Sequence, residues 1–295
     1  MKKLLSLLML LAMIASCSDD HDSSDFRDEI DFDTKLIKKI EIIDIRNGQQ
    51  IPFGMINLKY DNKGNLVNVK IEESDYNGGE TSSVKETMFA YEDRTIKFST
   101  MHEEGFSVWL DKGTFELNKR GIVYKAELTE DDKEPLYFTY KYTDDCLYNT
   151  HARSRGYEND TDIEWSNGNI VMFESDLNNS YDKQNKRLFD RVEYNNYYND
   201  ASLDLARLVC FGLEGSEGVS KMCGAEEGSY LNIVGRRVKN MPSRLTSLAD
   251  GSKVVTDFEY ERDRNNRIYE IKVKKVFTYR DEQNETREYK YLIGY

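Results

Sequence analysis

The feature that most restricts the fold of this 295-residue chain is a hairpin pattern that returns along it. Its first copy is INLKYDNKGNLVNVKIEE, residues 56–73, in which Ile56, Leu58 and Tyr60 alternate with polar residues before the turn. Leu66 resumes the alternation after DNKGN. A period of two on both sides of an Asp/Asn/Gly turn predicts an antiparallel hairpin. The design places an aromatic residue before the turn and branched aliphatic residues after it.

Variants of this hairpin recur, each with an aromatic residue before its turn. The first five such residues are Tyr60, Tyr91, Phe115, Tyr142 and Trp165. Their spacing drifts, so the pattern does not indicate a solenoid with a strict register. We predict an all-β fold, a curled antiparallel meander that forms an open or closed barrel-like shell. Five unrelated hairpins are the alternative.

A helical pattern interrupts the strands at NDASLDLARLVCFGLEG, residues 199–215. It predicts one short helix near 202–212, with Asp200 or Ser202 as the cap and Gly212 as the stop. The apolar stripe of this helix is Leu205, Leu208, Val209 and Phe211. We expect the helix to plug or cover the sheet.

The remaining segments alternate between loop and strand signals. Residues 239–253, KNMPSRLTSLADGSK, contain a proline and are predicted to be a loop or a single turn. Strands resume at Val254, and the chain ends in REYKYLIGY, an alternation typical of the last strand of an outer-membrane barrel. Such a barrel needs an apolar outer face on every strand, whereas EIKVKKVFTYR carries charge on both parities. We predict a soluble sheet and keep a membrane-spanning barrel as the alternative.

The N-terminus has the order of an export signal. Lys2 and Lys3 precede an apolar run, about half the ~20 residues that a spanning helix needs. Ile14-Ala15-Ser16-Cys17 resembles the bacterial lipobox, and the resemblance implies that Cys17 is lipidated and becomes the first mature residue. We predict three segments in the chain. They are a lipoprotein signal peptide (1–16), a lipidated acidic tether (17–34) and a single β domain built of repeated hairpins (35–295).

The charge of the chain restricts its partners. The formal net charge is −13, and loss of the two N-terminal lysines with the signal makes it two units more negative. A chain this acidic repels nucleic acid and anionic lipid surfaces. We therefore expect no nucleic-acid partner. The expected partners are the membrane through the lipid anchor and a glycan or an envelope protein.

The sequence contains no recognisable catalytic or metal-binding spacing. HEEGF at His102 lacks the second histidine of a zinc helix, and Ser216 follows Gly215 outside any nucleophile elbow. We predict no catalytic residue, no metal and no cofactor. Cys146, Cys210 and Cys223 do not form a disulfide framework, although the last two are either paired across a loop or free.

Tyrosine is the one residue type that suggests a ligand surface. Among 20 tyrosines, the densest group lies in EYNNYYND, residues 193–200. Its candidate platform residues are Tyr194, Asn195, Asn196, Tyr197 and Tyr198. Their rings would stack on sugars or peptides and their amides would bond hydroxyl groups. Tyrosine is also a preferred strand residue, so lining the sheet is the competing explanation.

Taken together, these motifs resemble a family of surface lipoproteins from Gram-negative gut bacteria, a domain of unknown function with a porin-like fold. The shared features are the lipobox, the acidic tether, the Y-D-x-x-G-x-L/I hairpins, SLDLARL, GRRVKNMPSRL and the closing FEYERDRNNRIYEI. The resemblance implies a barrel-like shell that does not span the membrane, and it implies no catalytic residue.

In such lipoproteins, acidic residues after the lipidated cysteine resemble a signal for transfer to the outer leaflet. Ser18, Asp19 and Asp20 fit this pattern, with a plain solvated spacer as the alternative. We predict an outer-membrane lipoprotein at the cell surface that acts as a non-catalytic binding or scaffold module. A glycan-directed hydrolase, whose acids converge in a tyrosine-lined cleft, is the rival function.

Overall fold

The structure is a computed structural model. It describes residues 36–74, 81–130, 133–155, 157–179, 184–209, 228, 230–249, 252–279 and 284–295. The predicted signal peptide, Cys17, Ser18, Asp19, Asp20, Cys210 and Cys223 lie outside the described residues.

The described chain forms a closed barrel of sixteen antiparallel strands. Each strand pairs with its neighbours in sequence, and β1 closes the barrel against β16 with Ile40 opposite Ile293. The strands are β1 (Lys39–Arg46), β2 (Gln49–Tyr60), β3 (Leu66–Ser74), β4 (Thr81–Glu92), β5 (Thr95–Glu104), β6 (Ser107–Leu117), β7 (Val123–Thr129), β8 (Leu136–Thr143), β9 (Cys146–Ser154), β10 (Tyr157–Ser166), β11 (Asn169–Asn179), β12 (Gln184–Tyr198), β13 (Asn240–Ala249), β14 (Ser252–Arg262), β15 (Ile268–Thr278) and β16 (Asn284–Gly294). The predicted all-β antiparallel meander is confirmed, and it is closed.

The two ends of the barrel differ. The chain enters β1 and leaves β16 at one end, which also carries the turns that lead from even-numbered to odd-numbered strands and the 199–239 connection between β12 and β13. We call this the plugged end. The opposite end, with the tight turns Asn47–Gly48 and Gly105–Phe106, is called the distal end.

Three turns of the plugged end share one side-chain device. Asp61 Oδ1 accepts hydrogen bonds from the backbone N–H groups of Lys63 and Asn65, both at 2.8 Å. The same two bonds recur in turns 118–122 and 263–267, where Asn118 and Asp263 are the acceptors. The left-handed position of each turn is Gly64, Gly121 or Asn266, with φ of 80°, 75° and 63°. These residue types adopt that conformation at low cost, which explains the Asp/Asn-x-x-Gly/Asn pattern.

The aromatic residue before the turn fastens one strand to the start of the preceding strand. Tyr60 at the end of β2 donates its hydroxyl to the carbonyl of Ile37 just before β1, at 2.9 Å. Five further side chains on even-numbered strands or at the C-terminus repeat this bond. The pairs are Tyr91 with Leu66, Trp165 with Leu147, Tyr194 with Ile170, Tyr260 with Pro242, and Tyr295 with Ile268. We call these six side chains the turn aromatics. They include Tyr60, Tyr91 and Trp165 of the five predicted residues, whereas Phe115 has no group that can donate such a bond.

The aliphatic residues after the turns build the core at the same end. They point inward and are buried, as the hairpin pattern predicts. The inward aliphatic residues are Ile40, Leu66, Ile96, Val123, Leu147, Ile170 and Ile268. Burial of one such side chain contributes about 1.5–3 kcal/mol, so the plugged half of the barrel supplies much of the hydrophobic stabilisation.

Within the segment 239–253, Asn240–Ala249 form a strand, and the prediction of a loop or a single turn is wrong there. β13 runs from Asn240 to Ala249, and Leu245 and Ser247 face inward. Pro242 is tolerated because the register with β12 shifts beside it, and an irregular position in a ladder is where a strand accommodates a residue without an N–H group.

The predicted helix exists, and it begins later than predicted. α1 (Leu205–Arg207) is a single turn, and its N-cap is Asp204, not Asp200 or Ser202. Leu205, Leu208 and Val209 are buried as predicted. The rest of the predicted span, with Phe211 and Gly212, lies outside the described residues.

A network of buried polar groups organises the 199–239 connection. The Asp204 carboxylate accepts hydrogen bonds from the N–H groups of Arg207 and Val238 and from the Asn199 amide. The Arg207 guanidinium donates to the carbonyls of Val234 and Arg236. SLDLARL and GRRVKNMPSRL, two separate motifs in the sequence, therefore meet at one carboxylate.

Backbone bonds tie the connection to the barrel rim. Ile233 O accepts from Val123 N at 2.8 Å, Lys239 N donates to Gly168 O at 2.9 Å, and Arg236 N donates to Asp145 O at 2.7 Å. Together with the buried side chains of Leu203 and Leu205, these bonds make the described part of the connection a plug at this end.

We expect Tyr60→Phe to lower the free energy of unfolding by about 1–2 kcal/mol, because it leaves the Ile37 carbonyl without its donor. Tyr137→Phe, at a half-exposed side chain on the outer wall, serves as the control and should change it by less than about 0.5 kcal/mol. Urea denaturation measures both. Equal effects would contradict the role of the turn aromatics.

We expect Asp204→Ala to destabilise the barrel by about 3–5 kcal/mol, because it leaves the buried Arg207 without its anion. Asp257→Ala removes an exposed partner of Arg244 and should change the stability by about 1 kcal/mol or less. Thermal and urea unfolding compare the two variants. A mild effect of Asp204→Ala would show that the polar network does not hold the plug.

Candidate functional site

The inward face of the barrel becomes polar away from the plugged end. Side chains of a strand alternate between the two faces, so the register identifies the inward positions. A layer of buried hydroxyl groups follows the apolar core, and it consists of Thr87, Thr100, Thr150, Thr161, Ser175, Ser247 and Thr256. Thr87 bonds Thr100 across strands at 3.0 Å, and Thr161 bonds Ser175 at 2.7 Å. This layer marks the change from the apolar core to a polar part of the inward wall.

The β5–β6 hairpin carries an aromatic and ionisable group on this inward face. His102 lies opposite Trp109 in the register, and their rings stack with centroids 4.8 Å apart and planes 5° apart. His102 Nε2 lies 2.8 Å from Asp111 Oδ2, and both side chains are largely buried. We call these three residues the β5–β6 triad.

In the described part of the barrel, the inward oxygens Asp111 Oδ1 and Asn159 Oδ1 are without a hydrogen-bond donor. Asp111 Oδ1 is buried and receives none, although Asp111 Oδ2 contacts His102. Asn159 Oδ1 on β10 is also without a donor, on a side chain that is 3% exposed. A buried acceptor without a donor is unfavourable by about 1–3 kcal/mol. Both groups are acceptors, so each requires a donor to be satisfied.

A second cluster joins cations and aromatic rings on β15 and β16. Lys275 and Arg287 are cross-strand partners, with the Lys275 ammonium 5.9 Å from the Tyr289 ring centroid and the Arg287 guanidinium 4.9 Å from that of Phe277. Burial, helped by the positive charge of Arg287, lowers the pKa of Lys275 to about 8. Glu285 accepts from Arg287 Nε at 2.6 Å. The cluster therefore places the buried Lys275 ammonium beside an arginine that pairs with Glu285.

The outward face carries ion pairs around the wall. Pairs occur on strands distributed over the barrel, as alternation with the buried inward residues requires. They include Lys39–Glu41, Lys70–Glu72, Lys97–Glu92, Arg244–Asp257, Lys272–Glu261 and Lys274–Glu288. An outward counterpart of the β5–β6 triad also exists, because His151 contacts Asp160 at 3.1 Å.

The predicted tyrosine platform divides between the interior and the rim. Tyr194 is one of the turn aromatics and donates to Ile170, and Asn195 Oδ1 accepts from the N–H of Tyr197. Asn196, Tyr197 and Tyr198 are exposed at the plugged end. The Arg262 guanidinium lies 4.6 Å from the Tyr197 ring centroid, so a side chain of this chain already lies against that ring. A ligand role for the five residues stays a prediction.

Other candidate chemistry is sparse in the described part of the chain. Among these residues, no three His, Cys, Asp or Glu side chains gather in a way that suits a metal ion. Cys146 is a free thiol whose pKa is raised by burial. No described helix has the length and apolar character to cross a membrane.

Motif spacing does not reveal the β5–β6 triad, because HEEGF lacks the second histidine of a zinc helix. The sequence TMHEEGFSVWLD carries a usable signal, since Gly105 and Phe106 form a two-residue turn between alternating strands. Alternation around that turn places His102, Trp109 and Asp111 on one face. Their mutual contacts, and the unsatisfied oxygen, depend on side-chain packing and are not readable from spacing.

Comparison with known proteins identifies the fold. No protein-family model and no curated protein matches the chain. A crystal structure of a porin-like protein from Bacteroides uniformis is similar with a TM-score of 0.58 and 17% identity, covering 88% of this chain and 98% of that one. A porin-like protein from Bacteroides vulgatus gives a TM-score of 0.57 and 15% identity, with the same coverage of 88% and 98%. The porin-like barrel predicted from the motifs is confirmed at the level of fold.

We expect Lys275→Met to stabilise the protein at pH 7 by about 1–3 kcal/mol, because it removes the desolvated ammonium. The pKa of Lys275 is lower in the folded state than in the unfolded state, so this unfavourable contribution is fully present below pH 8. It disappears as the pH rises toward about 10. The difference between variant and parent in urea unfolding should therefore shrink over this range.

Lys274→Met is the control for this measurement. Lys274 is the next residue, lies on the outward face and pairs with Glu288 at 3.6 Å. We expect it to change the stability by less than about 0.5 kcal/mol at any pH in the range. A pH-independent gain in Lys275→Met would contradict the lowered pKa.

Proposed function

We propose that the protein is an outer-membrane lipoprotein of the cell surface whose barrel is a non-catalytic binding module. The observation that carries the proposal is the division of the interior. One end carries the plug, and the remaining inward wall is polar and carries aromatic rings and two acceptors without donors. Such a wall suits the capture of a polar ligand, while a plug opposes free passage through the barrel.

The lipidated anchor is supported by the N-terminal sequence. Ile14-Ala15-Ser16-Cys17 follows an apolar run, and the acidic residues Asp19 and Asp20 come next. The fold is that of the porin-like proteins, and the proposed family of surface lipoproteins is consistent with it. Anchoring through two or three acyl chains would hold the barrel at the membrane without any strand crossing it.

The outward ion pairs favour a wall that faces water. A charged side chain on the lipid-facing surface of a barrel costs about 2–4 kcal/mol near the midplane. Pairs such as Lys70–Glu72 on β3 and Lys272–Glu261 on β14 and β15 would place several charges in lipid. We therefore propose a barrel that is held at the membrane and does not span it.

Whether the barrel wall faces water or lipid is tested with protein that lacks residues 1–17. We expect this protein to be monodisperse in buffer without detergent, as size-exclusion chromatography with light scattering would show. A requirement for detergent would instead support the membrane-spanning barrel.

The anchor is tested with Cys17→Ser in the full chain. We expect the substitution to abolish incorporation of radiolabelled palmitate and to release the protein from the membrane fraction. Cys146→Ser, at the free thiol of β9, is the matched control and should leave both unchanged. Labelling that persists in Cys17→Ser would contradict the lipobox.

The hydrolase alternative requires two carboxyl groups across a scissile bond. The β5–β6 triad offers one carboxylate, and its Oδ2 is engaged by His102 at 2.8 Å. Incubation of the protein with oligosaccharides should release no reducing ends. Release that depends on Asp111 would overturn the non-catalytic part of the proposal.

A further inference from the structure

We propose that the inward face of the β5–β6 hairpin binds a neutral glycan, which stacks on Trp109 and donates a hydroxyl hydrogen bond to Asp111 Oδ1. This inference rests on the proposed binding function and assigns it a site and a ligand class. It involves no bond making or breaking.

The first argument is the unsatisfied carboxylate oxygen. Asp111 Oδ2 is engaged by His102, while Oδ1 is buried without a donor. The cross-strand neighbour Thr100 shares its hydroxyl with Thr87 at 3.0 Å. An external O–H group that reaches Oδ1 would form a hydrogen bond to a charged acceptor, which contributes more than a neutral one.

The second argument is the aromatic surface beside that oxygen. His102 stacks on Trp109 in an almost parallel arrangement, which fixes the indole plane. Trp109 is half-buried at an inward position of β6, so this residue is not fully covered by its neighbours. A ring fixed beside a hydrogen-bond acceptor matches a pyranose, which presents an apolar C–H face and O–H groups around its edge.

The third argument selects the charge of the ligand. Asp111 Oδ1 and Asn159 Oδ1 are both acceptors, and Asn159 is almost completely buried on the inward face of β10. A ligand that contacts either oxygen must donate to it. Hydroxyl groups donate, whereas carboxylate and phosphate groups only accept and would be repelled by Asp111. At Asp111, the chemistry therefore favours a neutral glycan over an acidic one.

The two tryptophans of the chain permit a direct measurement. Trp165 lies at the plugged end, where it donates to the Leu147 carbonyl, so Trp165→Phe leaves Trp109 as the only indole fluorophore. This single-tryptophan protein is titrated with neutral gluco-, xylo-, manno-, arabino- and galacto-oligosaccharides, and with oligogalacturonate as the acidic counterpart. We expect at least one neutral series to shift the Trp109 emission saturably and the acidic series to give no shift.

Substitutions in the otherwise unmodified chain test the assigned residues by calorimetric titration with the glycan so identified. Asp111→Ala should weaken binding about tenfold or more, the effect of losing one hydrogen bond to a charged group. Trp109→Ala should weaken it similarly. Asp160→Ala removes the carboxylate of the outward His151–Asp160 pair, which is chemically matched but lies on the other face, and should leave affinity unchanged. Thermal unfolding identifies any variant that has lost its fold, and Asp111→Asn then replaces Asp111→Ala.

The outcomes separate this inference from the proposed function. Silence across all neutral series, or tighter binding of oligogalacturonate, overturns the glycan assignment. Neutral-glycan binding that is insensitive to both Asp111 and Trp109 substitutions overturns the site. In each case, palmitate labelling at Cys17 and capture of a peptide or envelope protein would leave the anchored binding module standing.

Discussion

A closed barrel of sixteen strands is too wide for the side chains of its own wall to fill, and barrels of this size otherwise leave an aqueous channel. At one end, the plug between β12 and β13 supplies the side chains that the wall lacks. It supplies buried apolar residues such as Leu205 and Val234 to a core that the wall alone cannot close. Its polar backbone would be unfavourable there without partners, which explains the convergence on Asp204 and the bonds to rim residues such as Gly168.

The turn aromatics belong to the same solution. The strand-pairing register shifts at Tyr60, at Trp165 and beside other turns of the plugged end. Such irregularities interrupt the hydrogen-bond ladder and increase the local twist. A phenol or indole that bonds the carbonyl of the preceding strand gives that rim a regular set of side-chain bonds in addition to the ladder. These bonds add to the ladder at the rim where the plug is attached. The polar inward residues lie farther along the wall, toward the distal end.

The features that were predictable from the sequence are local ones. Alternation and the Asp/Asn-x-x-Gly/Asn turns correctly predicted antiparallel strands, because each copy is specified by its own residues, as Asp61 and Gly64 show. Closure of the sheet was not readable, since it depends on the pairing of Ile40 with Ile293 from opposite ends of the chain. β13 was missed because Pro242 signals a loop locally, while tertiary pairing with β12 decides the outcome. The plug motifs SLDLARL and GRRVKNMPSRL are recognisable in the sequence. Their contact through the Asp204 carboxylate is not, because it depends on tertiary packing.

The candidate site shows why residue chemistry alone does not locate function. The wall holds two His–Asp pairs of similar geometry, His102 with Asp111 and His151 with Asp160. The outward pair lies in a charged surface, where water satisfies the carboxylate and the interaction contributes little. The inward pair lies in a buried polar layer, where the second carboxylate oxygen has no donor and an aromatic ring is stacked beside it. The two-residue turn at Gly105 fixes which side chains of β5 and β6 point inward. This inward orientation distinguishes the His102–Asp111 pair from an ordinary surface pair and makes it a site that favours a hydrogen-bond-donating ligand.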